Sequence, residues 1–100
     1  MSVYDKINFI TEDGNDSGHS ITVYALSTCG FCRRAISYLR ERKLAFRYVY
    51  IDELPPDVKA EIKAELREKY MRNLVFPFLV VDDRESTTGF VQEKWNELLA

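Results

Sequence analysis

Hydrophobic positions along the chain change their period several times, and each change marks the edge of an element. Ile21-Thr22-Val23-Tyr24-Ala25-Leu26 is a short, β-branched, apolar run, the pattern of a buried strand. Beyond it, Cys32, Ala35, Ile36 and Leu39 recur at helical spacing, while Arg33, Arg34, Arg40 and Glu41 occupy the opposite face. The spacing predicts a helix ending near Arg42 or Lys43, with Ser27 or Thr28 as its cap. Phe46-Arg47-Tyr48-Val49-Tyr50-Ile51 reads as a second strand, and Asp52 to Pro56 as a turn whose tandem prolines suit a helix start. Val58, Ile62, Leu66 and Tyr70 then form an i, i+4 stripe on a charged helix.

The C-terminal third is more finely divided. Phe78-Leu79-Val80-Val81 predicts a buried strand, Asp82-Asp83 a turn, and Glu85 to Thr88 a short further strand before Gly89. Val91, Trp95, Leu98 and Leu99 make the stripe of a terminal helix. Upstream, Asp13-Gly14-Asn15-Asp16-Ser17-Gly18 is the clearest breaker cluster. Before it, Lys6 to Thr11 alternates partially, which suits an extra edge strand or an attached arm. Residues 1–19 are therefore set apart from a domain spanning 20–100. The order βαβαββα predicts an α/β fold, with a right-handed parallel first unit and an antiparallel final pair.

Composition narrows the functional classes. One hundred residues make a single domain that can fold without staples, which leaves both cysteines free for chemistry. The net charge is −2 and no basic run exceeds two residues, so nucleic-acid binding has little support. The N-terminus lacks the pattern of a secretory signal, and no apolar run approaches the ~20 residues that span a bilayer. Membrane contact is not expected, and the expected compartment is the cytoplasm, where a purely structural disulfide would be unusual.

Cys29-Gly30-Phe31-Cys32 falls where a strand ends and a helix begins. A helix start offers unpaired N–H groups and a partial positive charge, both of which stabilise a sulfur anion. Cys29 at that start is the expected nucleophile, and Cys32, one turn inside, the resolving thiol. Such chemistry requires no cofactor beyond a redox-active disulfide. A zinc site would need four ligands, and the chain offers two cysteines and His19, which follows the breaker cluster and is read as solvated. Phe76-Pro77-Phe78 is the second informative site. A proline heading a buried strand removes an amide donor, and periodicity alone leaves open whether its peptide bond is cis or trans.

These residues resemble the glutaredoxin family of the thioredoxin-like fold. The anchors are Val23-Tyr24, Thr28-Cys29-Gly30-Phe31-Cys32, Tyr48 to Asp52, Phe76-Pro77 and Thr88-Gly89-Phe90, covering Ser20 to Leu99. The resemblance implies a four-stranded mixed sheet flanked by three main helices, and a cis Pro77 facing the cysteines. It also implies catalysis by Cys29 and Cys32, with Thr28, Gly30, Phe31, Phe76, Pro77, Gly89 and Phe90 as the substrate-binding residues. Phe31 and Phe90 would form an apolar landing surface for a partner. Trp95, Tyr24, Tyr48 and Tyr50 are read as packing residues.

Departures from the family pattern bear on glutathione. Leu26 stands where glutathione-using members carry Lys or Arg, and Val75-Phe76 replaces Thr-Val. Thr88-Gly89-Phe90-Val91 replaces the loop that holds the glutamyl end, and Arg72 lies two places off the usual arginine. Weak glutathione dependence is expected. The Thr-Gly-Phe ending is closest to the thioredoxin-like NrdH-type glutaredoxins, which implies thioredoxin reductase or a low-molecular-weight thiol as reductant. It also implies disulfide-containing proteins, such as a ribonucleotide reductase, as partners of a monomer. Gly30-Phe31 is instead shared with the monothiol members. The alternative is therefore an iron–sulfur carrier bridging a cluster through Cys29 in a dimer.

Overall fold

A computed structural model describes residues 2–100; Met1, part of the N-terminal segment considered above, lies outside the described residues. Five strands form one sheet in the order β1-β3-β2-β4-β5, comprising β1 (Ile10–Glu12), β2 (Ile21–Ala25), β3 (Phe46–Tyr50), β4 (Phe78–Val81) and β5 (Glu85–Thr88). Three α-helices cover it: α1 (Gly30–Glu41), α2 (Pro56–Tyr70) and α3 (Gln92–Leu99). The central pair β2 and β3 is parallel, joined through α1, and the other pairings are antiparallel. This is the mixed thioredoxin-like sheet, with β1 added at the edge beside β3.

Alternation along the central strands divides the core into two layers. Ile21, Val23, Ala25, Leu79 and Val81 point to the side shared by Cys32, Ala35, Ile36 and Leu39 of α1 and Trp95 of α3. Tyr24, Phe78 and Val80 point to the other side, against Val58, Ile62 and Leu66 of α2. The apolar runs are unbroken in sequence because both faces are covered. Full burial of Leu39, Ile62 or Leu66 is worth about 1.5–3 kcal/mol each.

Helix α1 ends in a paired carbonyl pattern. Lys43 adopts φ 58°, its N–H bonds the Arg40 carbonyl at 2.9 Å, and the Leu44 N–H bonds the Leu39 carbonyl at 3.3 Å. That is a Schellman cap built on lysine instead of glycine. At the other end of the β4–β5 hairpin, Asp82 and Asp83 both take positive φ (58° and 56°), which aspartate tolerates better than most residues.

Besides the pairing of β1 with β3, the N-terminal segment is tied to the domain at two further places. A 3-10 turn over Val3–Lys6, not anticipated from the sequence, buries Val3, and Ile7 is buried just beyond it, both in the layer formed by α2. Within the breaker cluster, Asn15 bridges to Leu44: its N–H donates to the Lys43 carbonyl at 2.6 Å, and its carbonyl accepts from Ala45 at 3.0 Å. Gly14 passes so close to that backbone that a Cβ would stand 2.5 Å from the Leu44 carbonyl carbon. Only glycine fits there.

Candidate active site

Sheet register decides which loops meet. Tyr24 lies beside Val49 and Phe78, and Phe78 beside Thr88. The segments beyond these residues therefore leave the sheet at one end: Cys29 after β2, Asp52 after β3, Phe76-Pro77 before β4, and Gly89-Phe90 after β5. The strand–helix motif, the proline loop and the glycine loop, far apart in sequence, become neighbours.

The cap of α1 is Cys29 itself, not Ser27 or Thr28. Its Sγ accepts a hydrogen bond from the Cys32 N–H at 3.2 Å, a sulfur doing the work usually given to a side-chain oxygen. Ser27 is engaged elsewhere. Its N–H donates to Asp52 Oδ1 at 2.9 Å and its hydroxyl donates to Oδ2, which holds the Asp52 carboxyl below the usual carboxylate range. This brace fixes the turn leading into the cysteines.

The two sulfurs occupy opposite environments. Cys29 is partly exposed, whereas Cys32 is wholly buried in the layer under α1. Burial, followed by its hydrogen bond with Cys29, pushes the Cys32 thiol up to about 12, and the Leu26 N–H at 3.5 Å from Cys32 Sγ offsets this in part. A thiol in that state is inert towards outside electrophiles. Both cysteines are free, and Cys32 follows Cys29 within the first helical turn.

The remaining predicted residues fall into three groups. Thr28 and Gly30 are exposed around Cys29, and Phe31 is 60% exposed. The Phe76–Pro77 peptide bond is cis, with Pro77 fully buried and Phe76 half-buried between both core layers. Gly89 takes φ +73°, donates its N–H to the Pro77 carbonyl at 2.8 Å, and accepts from Trp95 Nε1 at 3.0 Å. Phe90 is only partly buried. Its ring turns inward against Tyr38 and Trp95, with centroids 5.4 and 5.1 Å away.

Sequence reasoning missed three contributors. Trp95 is a packing residue, but its indole N–H also anchors the Gly89 loop. Val75, noted only as a family departure, and Val91, also expected in the apolar stripe of the terminal helix, are 53% and 54% exposed on the two loops flanking the cysteines. Val91 is the cap residue before α3 and not part of its buried stripe. Apolar residues within loops that converge on one sheet end were the available signal. Leu26, standing in the basic position, packs against the α2 layer. His19 is not simply solvated either. Its two ring nitrogens reach Asp82 at 2.7 Å and the Ala100 carbonyl at 2.9 Å, far from the cysteines along the sheet.

Comparison with known proteins agrees with this geometry. The family profile described as Glutaredoxin matches residues 21–85. Among solved structures, the glutaredoxin from Methanosarcina mazei Go1 is 28% identical, with a TM-score of 0.79 over 94% of this chain and 89% of that one. Methanosarcina acetivorans methanoredoxin is 27% identical, with a TM-score of 0.75 over 87% and 90%. The glutaredoxin grx-1 from Archaeoglobus fulgidus is 26% identical, with a TM-score of 0.71 over 80% and 85%. No curated protein sequence matches the chain. With a shared fold, a profile match over most of the length and a cysteine pair at the head of α1, the chain belongs to the glutaredoxin family.

Proposed function

We propose that the chain is a dithiol reductase of protein or low-molecular-weight disulfides, with weak dependence on glutathione. The observation that carries this reading is the asymmetry of the pair: Cys29 partly exposed and capping α1, Cys32 buried with its proton retained. The Cys29 thiolate attacks one sulfur of a substrate disulfide. A mixed disulfide forms, and the first substrate thiolate leaves. Cys32 then gives up its proton, which the departed first substrate thiolate takes up, and attacks Cys29 Sγ, which expels the second substrate thiolate and closes the internal disulfide. The substrate gains two electrons and the protein gives up two. An external thiol or a disulfide-reductase protein restores the dithiol.

Thr28, Gly30 and Phe31 border the attacking sulfur, and the backbone of Phe76, next to cis Pro77, is suited to pair with an extended substrate. Gly89 holds the opposite wall through its bond to Pro77. Weak glutathione dependence is supported by Leu26, which packs inward without a charge, and by Val91, which starts α3 with no side-chain cap where the family places an acid. A cytoplasmic location fits a protein whose dithiol must be kept reduced. Among the described residues no helix is long and apolar enough to cross a membrane.

A coupled assay that supplies either glutathione or a thioredoxin reductase system tests this directly. Turnover is expected with the reductase system and only slow turnover with glutathione. Efficient glutathione-driven turnover would overturn the weak-dependence reading.

A further inference from the structure

We propose that the α1 side of the site is a docking surface for an acidic protein segment adjoining the substrate disulfide, which rests on the reductase reading above. The chain is acidic overall, with a net charge of −2, yet five basic residues (Arg33, Arg34, Arg40, Arg42 and Lys43) lie between positions 33 and 43 against one acid, Glu41. Two of them are already engaged. Arg40 pairs with Glu12 at 2.6 Å, and Arg42 donates to Asn96 while lying over the Tyr38 ring. Arg33 and Arg34, in the first turn of α1, are exposed and in no ion pair among the described residues.

These two arginines line a cleft of about 540 Å³ that begins at Gly30, beside Cys29, and runs along α1 to Glu41, with Tyr38 and Phe90 in its wall. A smaller hollow, about 200 Å³, is formed by Gly30, Phe31 and Arg34, whose guanidinium lies 5.6 Å from the Phe31 ring centre. Gly30 borders both. A chain whose disulfide reaches Cys29 and continues along this cleft would therefore pass alongside both arginines. The exposed apolar residues Phe31, in the first turn of α1, and Val75 and Val91, on the two neighbouring loops, stand at this same end of the sheet.

Length selects a protein segment over a small thiol. From Gly30 to Glu41 the helix advances about 16 Å at 1.5 Å per residue, whereas an extended tripeptide spans only about 10 Å. Carboxylates along such a segment meet unpaired guanidinium groups, which steer encounter and fix the register of attack. Glu41 closes the far end and disfavours acids beyond it.

The test uses the full reduced chain and three peptides carrying the same disulfide, flanked by glutamates, by lysines or by neutral residues, with glutathione disulfide as a fourth oxidant. The rate constant for Cys29 oxidation is expected to be about tenfold higher for the acidic than for the basic peptide at low salt, converging near 1 M salt. In the Arg33→Glu/Arg34→Glu variant the order of the two peptides is expected to invert. Because the ratio is read within one protein, partial misfolding cancels. Equal rates for the acidic and basic peptides, with the neutral one still reduced, would overturn the docking surface and leave the reductase intact. Failure to reduce any of the four would overturn both. Glutathione disulfide reacting faster than the acidic peptide would also overturn the docking surface, by placing carboxylate recognition on a small thiol.

Discussion

The Cys32 backbone N–H donates to Cys29 Sγ at 3.2 Å, so the first residue of the pair caps the helix that buries the second. One hydrogen bond thus links fold and chemistry. It holds the Cys29 sulfur at the amino end of the helix whose first turn carries Cys32. Replacing Cys29 by alanine removes the cap as well as the nucleophile and is expected to cost about 1 kcal/mol of stability.

Cys29→Ser is expected to abolish disulfide reduction, and Cys32→Ser to stop after the first transfer and accumulate a mixed disulfide with the substrate. Intact-mass spectrometry after incubation with a peptide disulfide distinguishes them: the Cys32 variant gains the mass of one substrate half and the Cys29 variant gains nothing. Full activity in the Cys29 variant would refute its role.

Trp95 acts on the site at a distance. Its Nε1 holds the Gly89 carbonyl at 3.0 Å, and Gly89 in turn holds Pro77 at 2.8 Å. Trp95→Phe is expected to lower stability by about 1–3 kcal/mol, from a lost bond and a small cavity. It should also lower kcat/KM about tenfold, because the proline loop loses its brace. Alkylation of Cys29 should be unchanged. Unaltered kcat/KM would leave Trp95 as packing alone.

The pairing of His19 with Asp82 makes stability depend on pH. Hydrogen bonds to Asp82, then to the Ala100 carbonyl, raise the histidine above its usual 6.5. Its stabilising effect is therefore complete below 6.5 and is lost as pH rises through the raised value. Asp82 is held below its usual 3.8, first by His19 and then by the Ser20 N–H, so its own effect is present above 3.8 and lost as pH falls through the lowered value. The difference in urea midpoint between the native chain and His19→Gln should be greatest between these limits and shrink on the alkaline side. A difference that does not vary with pH would contradict the pairing.

Gly14→Ala should destabilise the fold by about 1–3 kcal/mol, because the added methyl meets the Leu44 and Ala45 backbone, which cannot move aside as a side chain would. A urea titration measures the loss. Wild-type stability in this variant would show that the Gly14 segment is not held against Leu44.

Protein purified anaerobically is expected to be colourless, with two titratable thiols per chain. A brown dimer with visible absorption would favour a cluster held through Cys29 of two chains.

Much of the fold was legible because its strands and helices differ in hydrophobic period. Ile21 to Ala25 and Phe78 to Val81 read as buried strands, and Val58, Ile62 and Leu66 lie on the buried face of α2 as their spacing required. The cysteines announced themselves by standing at a strand–helix junction. Other features depend on contacts between distant residues, which no local pattern records. The 3-10 turn at Val3–Lys6 is too short for a period, and it is held by burial of Val3 in the core layer formed by α2. Gly14 reads as an ordinary breaker until the Leu44 backbone is placed against it. The cap fell to Cys29 because Ser27 was drawn to Asp52, a partner 25 residues away. One side of Phe90 is covered by Tyr38 and Trp95, a contact between residues of three different segments.

The division of labour between the two sulfurs is tested most directly by limited alkylation. Reduced protein is treated with iodoacetamide at neutral pH, and the modified cysteines are mapped by peptide mass spectrometry over time. Cys29 should be carboxamidomethylated first and nearly alone, while buried Cys32, its thiol near 12, stays unmodified until the protein is unfolded. Alkylation of Cys32 at a rate matching that of Cys29 in the folded chain would contradict the account.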